Sequence, residues 1–381
     1  MDFSFTDEQQ AIADLAKQIF TDKASHERVR QIERGGGPRF DRELWQEVAK
    51  AGLLGIAVPQ AHAGAGLGFL EVALIIEQVA RAAAPIPLLE TVVLGALPLA
   101  KFGSAAQRAA WLPRIVEGKA ILTAALTEDQ GDPLRPATTA RKDGNDWRLA
   151  GVKTCVPAGD IADLVLVPAT SDARQVGVFL VETSAPGLRI ESLVTTSGQP
   201  EARIALDDVR LGSDAVLGDS GKGAQIIEWL TERATSALAC VALGVCEQAL
   251  ALTADYTKSR KQFDQPIAMF QAVGQRLADA YVDVEAIRLT AWQAAWRIAA
   301  GMPAASQVAI AKFWAGTGGQ RVVHSAQHLH GGMGVDRDYP LHRYFLYAKQ
   351  LELSLGGPTA QLRKLGRMIV AEADREASEQ A

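Results

Sequence analysis

Cysteine is scarce in this chain: Cys155, Cys240 and Cys246 are the only three among 381 residues, and none stands in a CxxC pair. That spacing excludes a disulfide framework and a thiolate zinc site, and leaves Cys240 and Cys246 as packing residues on a helix. Basic tracts are absent as well. With 39 Lys and Arg against 44 Asp and Glu, the formal net charge is −5, so nucleic acid is not an expected partner. The opening MDFSFTDEQQ has no positive segment followed by an apolar stretch, and no run approaches the roughly 20 apolar residues that span a bilayer. A cytoplasmic protein without membrane contact is expected. His324, His328 and His330 are close in sequence, yet no carboxylate stands at a matching position on that helix face, and zinc needs a third protein ligand. No metal is expected.

The composition that remains, 48% hydrophobic and 22% charged, is that of a soluble globular protein long enough for more than one core. Its texture changes twice. Residues 1–120 read as mostly helical, with apolar positions at helical spacing in Ala11–Phe20, Leu44–Leu54 and Leu70–Ala83. Residues 121–222 turn to short β-branched and alternating runs: Trp147–Val156, Ala162–Val167, Val176–Val181, Leu188–Val194 and Ala202–Val209. Residues 223–381 return to long helices, where Trp292, Trp296 and Trp314 are expected in the core, as is Trp229. The predicted fold class is α+β: an N-terminal helical domain, a small antiparallel β domain and a C-terminal helical bundle.

Within that last zone, YTKSRKQFDQPIAMFQ (Tyr256–Gln271) places a basic, aromatic, proline-bearing loop between two helical runs, Ile226–Lys258 and Ala268–Ala300. Arg260 and Lys261 fall where the first helix ends, a favourable place for cations and a usable phosphate clamp. Ordinary C-terminal helix cations would read the same way.

The pattern R-K-x-F, two residues, P-I, two residues, F-Q resembles the acyl-CoA dehydrogenase family, and further segments match it in order. They are Phe3–Leu15 (FSFTDEQQAIADL), Gly52–Gly68 (GLLGIAVPQAHAGAGLG), Ala125–Glu128 (ALTE), Leu149–Lys153 (LAGVK), His330–Gly334 (HGGMG) and Tyr339–Arg343 (YPLHR). The resemblance implies the same α+β architecture with FAD as cofactor, its adenosine end gripped by a neighbouring subunit. Arg260 would contact the diphosphate, Phe263 would pack near the adenine or flavin of the neighbour's cofactor, and Gln271 would sit nearby. His328, where the family commonly has Gln, would lie with Gly331 and Gly332 on a second cofactor loop, where a missing side chain lets backbone approach. A plain helix C-cap is the alternative for those glycines. The resemblance further implies an acyl-CoA substrate and an electron-transfer flavoprotein or similar acceptor.

The family's reaction needs a carboxylate base to take the α-proton while flavin takes the hydride. One family position for that Glu aligns with the turn LGGPT, at Leu355 and Gly356; the other lies 26 residues before Arg260, at Ala234. Neither holds an acid. Glu232 and Glu352 are the nearest acids. Glu232 is about 200° around a helix from Ala234, and Glu352 reaches the turn only if its helix extends that far. Arg233 is a candidate for the substrate end.

The flavin-facing strands are altered too. Leu126 and Thr127 fall on the first, where the family's T-E-P-x-A-G-S-D reads Thr127-Glu128-Asp129-Gln130-Gly131-Asp132-Pro133, without the Ser expected at the diphosphate. On the second, Cys155 replaces the aromatic that stacks on the flavin, and Pro157 replaces the hydroxyl residue near flavin N5. Two readings stand: a homomeric dehydrogenase using Glu232, Glu352 or another acid, and a non-catalytic subunit completing the FAD site of a related, base-carrying chain in an α2β2 assembly. A flavin oxidase or monooxygenase on the same fold is a third, with no residue in its favour.

Overall fold

The computed structural model describes residues 4–129 and 132–380, so Phe3 of the opening motif and Gln130 and Gly131 of the altered flavin strand lie outside the described residues. Helices α1 (Asp7–Lys23), α2 (His26–Arg34), α3 (Arg42–Lys50), α4 (Phe69–Arg81), α5 (Leu97–Phe102) and α6 (Ala105–Val116) come first. Their starts are written in the sequence: Thr6 caps α1 and Ser104 caps α6 in reciprocal boxes with Gln9 and Gln107, and Asp41 accepts from Leu44 at the start of α3. Strands β1 (Leu122–Ala124), β2 (Thr139–Asp143), β3 (Asp146–Pro157), β4 (Leu164–Ser171), β5 (Val176–Glu182), β6 (Leu188–Leu193) and β7 (Glu201–Leu211) follow. Then come α7 (Gly223–Ser259), a two-rung hairpin of β8 (Lys261–Gln262) and β9 (Gln265–Pro266), α8 (Gln271–Ala299), α9 (Ala305–His330), α10 (Leu341–Leu353) and α11 (Pro358–Gln380).

The chain forms two compact units. One comprises residues 31–72 and 85–234, the other residues 1–30, 73–84 and 235–381. In the first, the strands make one sheet in the order β1-β4-β2-β3-β7-β6, with β5 on the far side of β4. The expectation of an antiparallel domain needs a correction: β4 pairs in parallel with both β1 and β2, and only the remaining ladders are antiparallel. β1 and β2 carry too few residues for an alternating pattern to show in the sequence, and they supply the parallel rungs.

In the second unit α7, α8 and α9 bury Leu243, Cys246, Ala280, Val284, Ile287 and Val322, with Trp292 and Trp314 packed against the cluster. Trp296 does not join them. It is 43% exposed, because α8 turns that face outward together with Leu289 and Val282, seven and fourteen residues earlier. Gly244, which reads as a helix breaker, is a contact glycine: a Cβ there would stand 2.2 Å from the Glu77 carbonyl of α4. Helix α7 is long and apolar enough by composition to cross a membrane, but 67% of its most hydrophobic window is buried inside the protein, as in a core helix.

Candidate functional site

In the sheet unit the candidate flavin strands meet directly. The Thr154 N–H donates to the Thr127 carbonyl at 3.0 Å, and Thr123 Oγ1 donates to the Pro157 carbonyl at 2.6 Å. Leu126, Thr127, Cys155 and Pro157 therefore share one locality, with Leu126 buried and Thr127 and Cys155 exposed. A register shift between Lys153 and Val156 breaks the β3–β7 ladder, and Cys155 takes φ 48° there. Such a conformation is costly for a residue with a Cβ. The Cys155 thiol pKa is raised, first by partial burial, so the group facing outward is a neutral thiol.

Beneath the strands sits an ion pair that the sequence motifs contain without announcing. Lys153, fully buried, donates to Glu128 Oε1 at 2.6 Å, and the same carboxylate accepts from the Thr138 N–H and hydroxyl and from the Ala137 N–H. Burial works against the charge, but these bonds hold the Glu128 carboxyl below its usual pKa. Glu128 ties β1's exit to β2 and β3, accepting three hydrogen bonds at Oε1 and one at Oε2.

The two base positions are empty of acid in different ways. Ala234 is 1% exposed on α7. Helix α7 is regular from Gly223 to Ser259, so no rewinding brings Glu232 round to it; Glu232 instead lies 3.4 Å from Arg233, whose guanidinium stacks on the Trp229 ring at 3.9 Å. In the helical unit α10 ends at Leu353 with Ser354 as C-cap. The extension that would carry Glu352 into the turn is missing, and its carboxylate pairs with Lys349 at 2.6 Å. The turn itself is sealed: Lys312, buried on α9, donates to the carbonyls of Leu351 (2.7 Å), Glu352 (3.2 Å) and Gly356 (3.3 Å), while Gln361 donates to those of Leu355 and Gly356. Leu355 is held at φ 51°. Burial pushes the Lys312 pKa down to about 8.

The Arg260 loop has the opposite character. Phe263 and Asp264, the two residues between β8 and β9, both take positive φ (53° and 65°), the geometry of a type I′ hairpin turn that favours Asn-Gly. An aromatic at such a tip is strained, and strain of this kind marks function more often than accident. Phe263 is 88% exposed, and Arg260, Lys261 and Gln271 are exposed beside it. The loop's base is rigid. Tyr256, on the last turns of α7, stacks on His330 at 4.3 Å between ring centroids, and His330 reaches the Tyr339 hydroxyl at 3.2 Å and the Ala326 carbonyl at 2.8 Å. That trio joins the Arg260 loop to Gly331, Gly332 and His328. Gly331 takes φ 59° as the C-cap of α9, and neither glycine's absent Cβ would meet any atom within 4 Å. His330 is structural, and burial lowers its pKa. Tyr256, His330 and Tyr339 each lie in a quoted motif, but only the fold brings them together.

Protein-family models match three consecutive segments of the chain. The acyl-CoA dehydrogenase N-terminal domain matches residues 6–119, the middle domain residues 123–209 and the C-terminal domain residues 221–370. The chain belongs to the acyl-CoA dehydrogenase family. It is similar to acyl-CoA dehydrogenase FadE27 of Mycobacterium tuberculosis, with 41% identity over 97% of this chain and 99% of the relative. Among solved structures it is similar to the ChsE4-ChsE5 complex from Mycobacterium tuberculosis (TM-score 0.92, 41% identity, 97% of this chain and 99% of that chain). It is also similar to the Tcur3481-Tcur3483 steroid ACAD (0.89, 44%, 96% and 99%) and to butyryl-CoA dehydrogenase from Megasphaera elsdenii (0.91, 29%, 97% and 100%). In an acyl-CoA dehydrogenase the donor set found here fits FAD unevenly. Arg260 and Lys261 suit a diphosphate and the exposed Phe263 ring suits a stacked heterocycle, whereas Cys155 and Pro157 offer the flavin ring neither an aromatic face nor a hydroxyl.

Proposed function

We propose that this chain is the subunit of an FAD-dependent acyl-CoA dehydrogenase that does not carry the catalytic base, and that it completes the FAD site of a related, base-carrying chain in an α2β2 assembly. The observation that carries this reading is the base turn. Leu355 and Gly356 occupy it, their carbonyls are held by Lys312 and Gln361, and Glu352 is committed to Lys349. With Ala234 at the other position, neither of the family's base positions holds a side chain that can take an α-proton.

FAD, when bound, accepts the hydride from the β-carbon. This chain's own contribution is Arg260 at the diphosphate, with Lys261 beside it, and Phe263 against the cofactor's rings. All three stand exposed on a loop whose base is fixed by Tyr256, His330 and Tyr339. The similarity to chains of the ChsE4-ChsE5 complex and the Tcur3481-Tcur3483 steroid ACAD supports a partner of the same fold and a bulky, steroid-type acyl-CoA substrate. Electrons leave to an electron-transfer flavoprotein or similar acceptor, and the assembly works in the cytoplasm.

The test is the flavin-to-chain ratio of the protein purified alone, from its visible spectrum, with its mass in solution. Little or no FAD, restored by adding a homologue with Glu at the position of Ala234 or Leu355, is the expected result. About one FAD per chain in a homo-oligomer that turns over an acyl-CoA would overturn it.

A further inference from the structure

Helix α11 packs on α9 through the side that carries the buried Gln361 and Met368, whose Sδ accepts from Ser306 Oγ at 3.6 Å. A second apolar face stands beside that one, turned to solvent. Counting roughly 100° per residue from Gln361, the residues Ile369, Leu362, Ala373, Gly366 and Val370 fall roughly 80–180° round the helix. All five are exposed, Leu362, Ile369 and Val370 by 50%, 58% and 60%. A contiguous apolar face left in water marks a contact surface. Gly366 lies in the middle of it. Its absent Cβ would meet no atom within 4 Å, and glycine inside a helix is costly, so nothing in this chain's own packing calls for it. What it allows is the close approach of a second helix from outside.

The charges of α11 say which helix. Residues 358–371 carry Arg363, Lys364 and Arg367 and no acid, whereas residues 372–380 carry Glu372, Asp374, Glu376 and Glu379 against Arg375. A helix basic toward its start and acidic toward its end is complementary to itself when reversed. We propose that α11 is a contact between two copies of this chain, packed antiparallel across a two-fold axis. When the helices cross between Arg367 and Met368, Gly366 lies level with the partner's Ile369, and Leu362 with the partner's Ala373. A two-fold contact is self-complementary, so each pairing occurs twice. In an antiparallel pair like edges meet. Arg363, Arg367 and Asp374 lie along one edge of the apolar face, roughly 200–240° on the same count, all of them exposed. No ion pair among the described residues engages these three. Arg363 then faces the partner's Asp374. The contact uses no residue of the flavin loop, so it goes beyond the proposed function and holds whether or not a base-carrying chain is present.

Sedimentation equilibrium of the full-length chain alone, over a range of concentrations, tests this. Self-association is expected, and Ile369→Glu, at an exposed position, should weaken it at least tenfold, by roughly the loss of one central contact, with the melting temperature unchanged. Arg260→Ala should leave it as it is. Arg363→Glu and Asp374→Arg place like charges at the edge and should each weaken association, while an equimolar mixture of the two variants restores both edge contacts and should associate like the unaltered chain. A chain that stays monomeric, association indifferent to Ile369→Glu, or a mixture that associates no better than either charge variant alone would each overturn the proposal. Loss of FAD binding or of turnover without a change in these masses would count against the proposed function and leave the contact standing.

Discussion

Two turns of the helical unit have opposite fates. The Leu353–Pro358 turn, where the family resemblance places a base, is closed inward: its carbonyls are bonded to a buried lysine and a buried glutamine, and it holds no titratable side chain. The 260–266 loop is open: Arg260 and Lys261 stand exposed at its base and Phe263, 88% exposed, at its strained tip, while Tyr256 at its foot stacks on His330 and meets Tyr339 edge-on. A chain that did its own chemistry would need an acid at the first turn or at the position of Ala234, besides the open loop. On the proposed reading this chain keeps what it offers outward and lacks what it would use itself, as a partner subunit would.

The sharpest way to break that contrast is turnover. Acyl-CoA dehydrogenation by this chain alone should fall below that of the mixed assembly by about 10²–10⁴-fold, the usual contribution of a positioned base; equal rates would show that an unrecognised acid serves here. Arg260→Ala probes the open turn. Flavin retention by the assembly should weaken by roughly 10–100-fold as a charge-assisted contact to the diphosphate is lost, read by the absorbance of the purified complex.

Stability against pH probes the closed side of the molecule. The folded-state pKa of Glu77 is about 8 against an ordinary 4.5, so the folded state holds the extra proton between those values and stability falls as pH rises through that window. Glu77→Gln should flatten the decline, a difference of a few kcal/mol by pH 8 in denaturant titrations. Lys312 has the reverse sign, being lowered to about 8 from 10.5, so stability recovers as pH climbs between them. Lys312→Met should abolish that recovery and, by taking its hydrogen bonds from the carbonyls of Leu351 and Glu352, cost about 1–3 kcal/mol at neutral pH. The smallest effect belongs to the hairpin tip. Phe263→Asn, better suited to φ 53°, should stabilise the chain by about 0.5–1 kcal/mol while loosening its hold on flavin.

The helices and longer strands were legible because their signals are local: caps at Thr6 and Ser104, and periodicity along α7 and β7. The parallel rungs were not, since three- and five-residue strands leave no period and their partners are distant in sequence. For the candidate site, the Arg260 loop could be read from its residues, and so could the absence of acids at Ala234 and Leu355. The lone Lys312 among Ala309, Ala311 and Ala315 is a faint signal in the sequence, because its three acceptors lie about 40 residues downstream and only the fold brings them within reach. Trp296 shows the limit from the other side, as helical spacing cannot tell a face packed on a core from one left exposed.

The base itself can be measured apart from electron transfer. Incubating an acyl-CoA in D₂O with this chain, with FAD in excess in the buffer, and following deuterium at the α-carbon by mass spectrometry isolates proton removal. No α-exchange above the buffer rate with the chain alone, and clear exchange once the base-carrying partner is added, is the predicted result; rapid exchange by this chain alone would contradict the account.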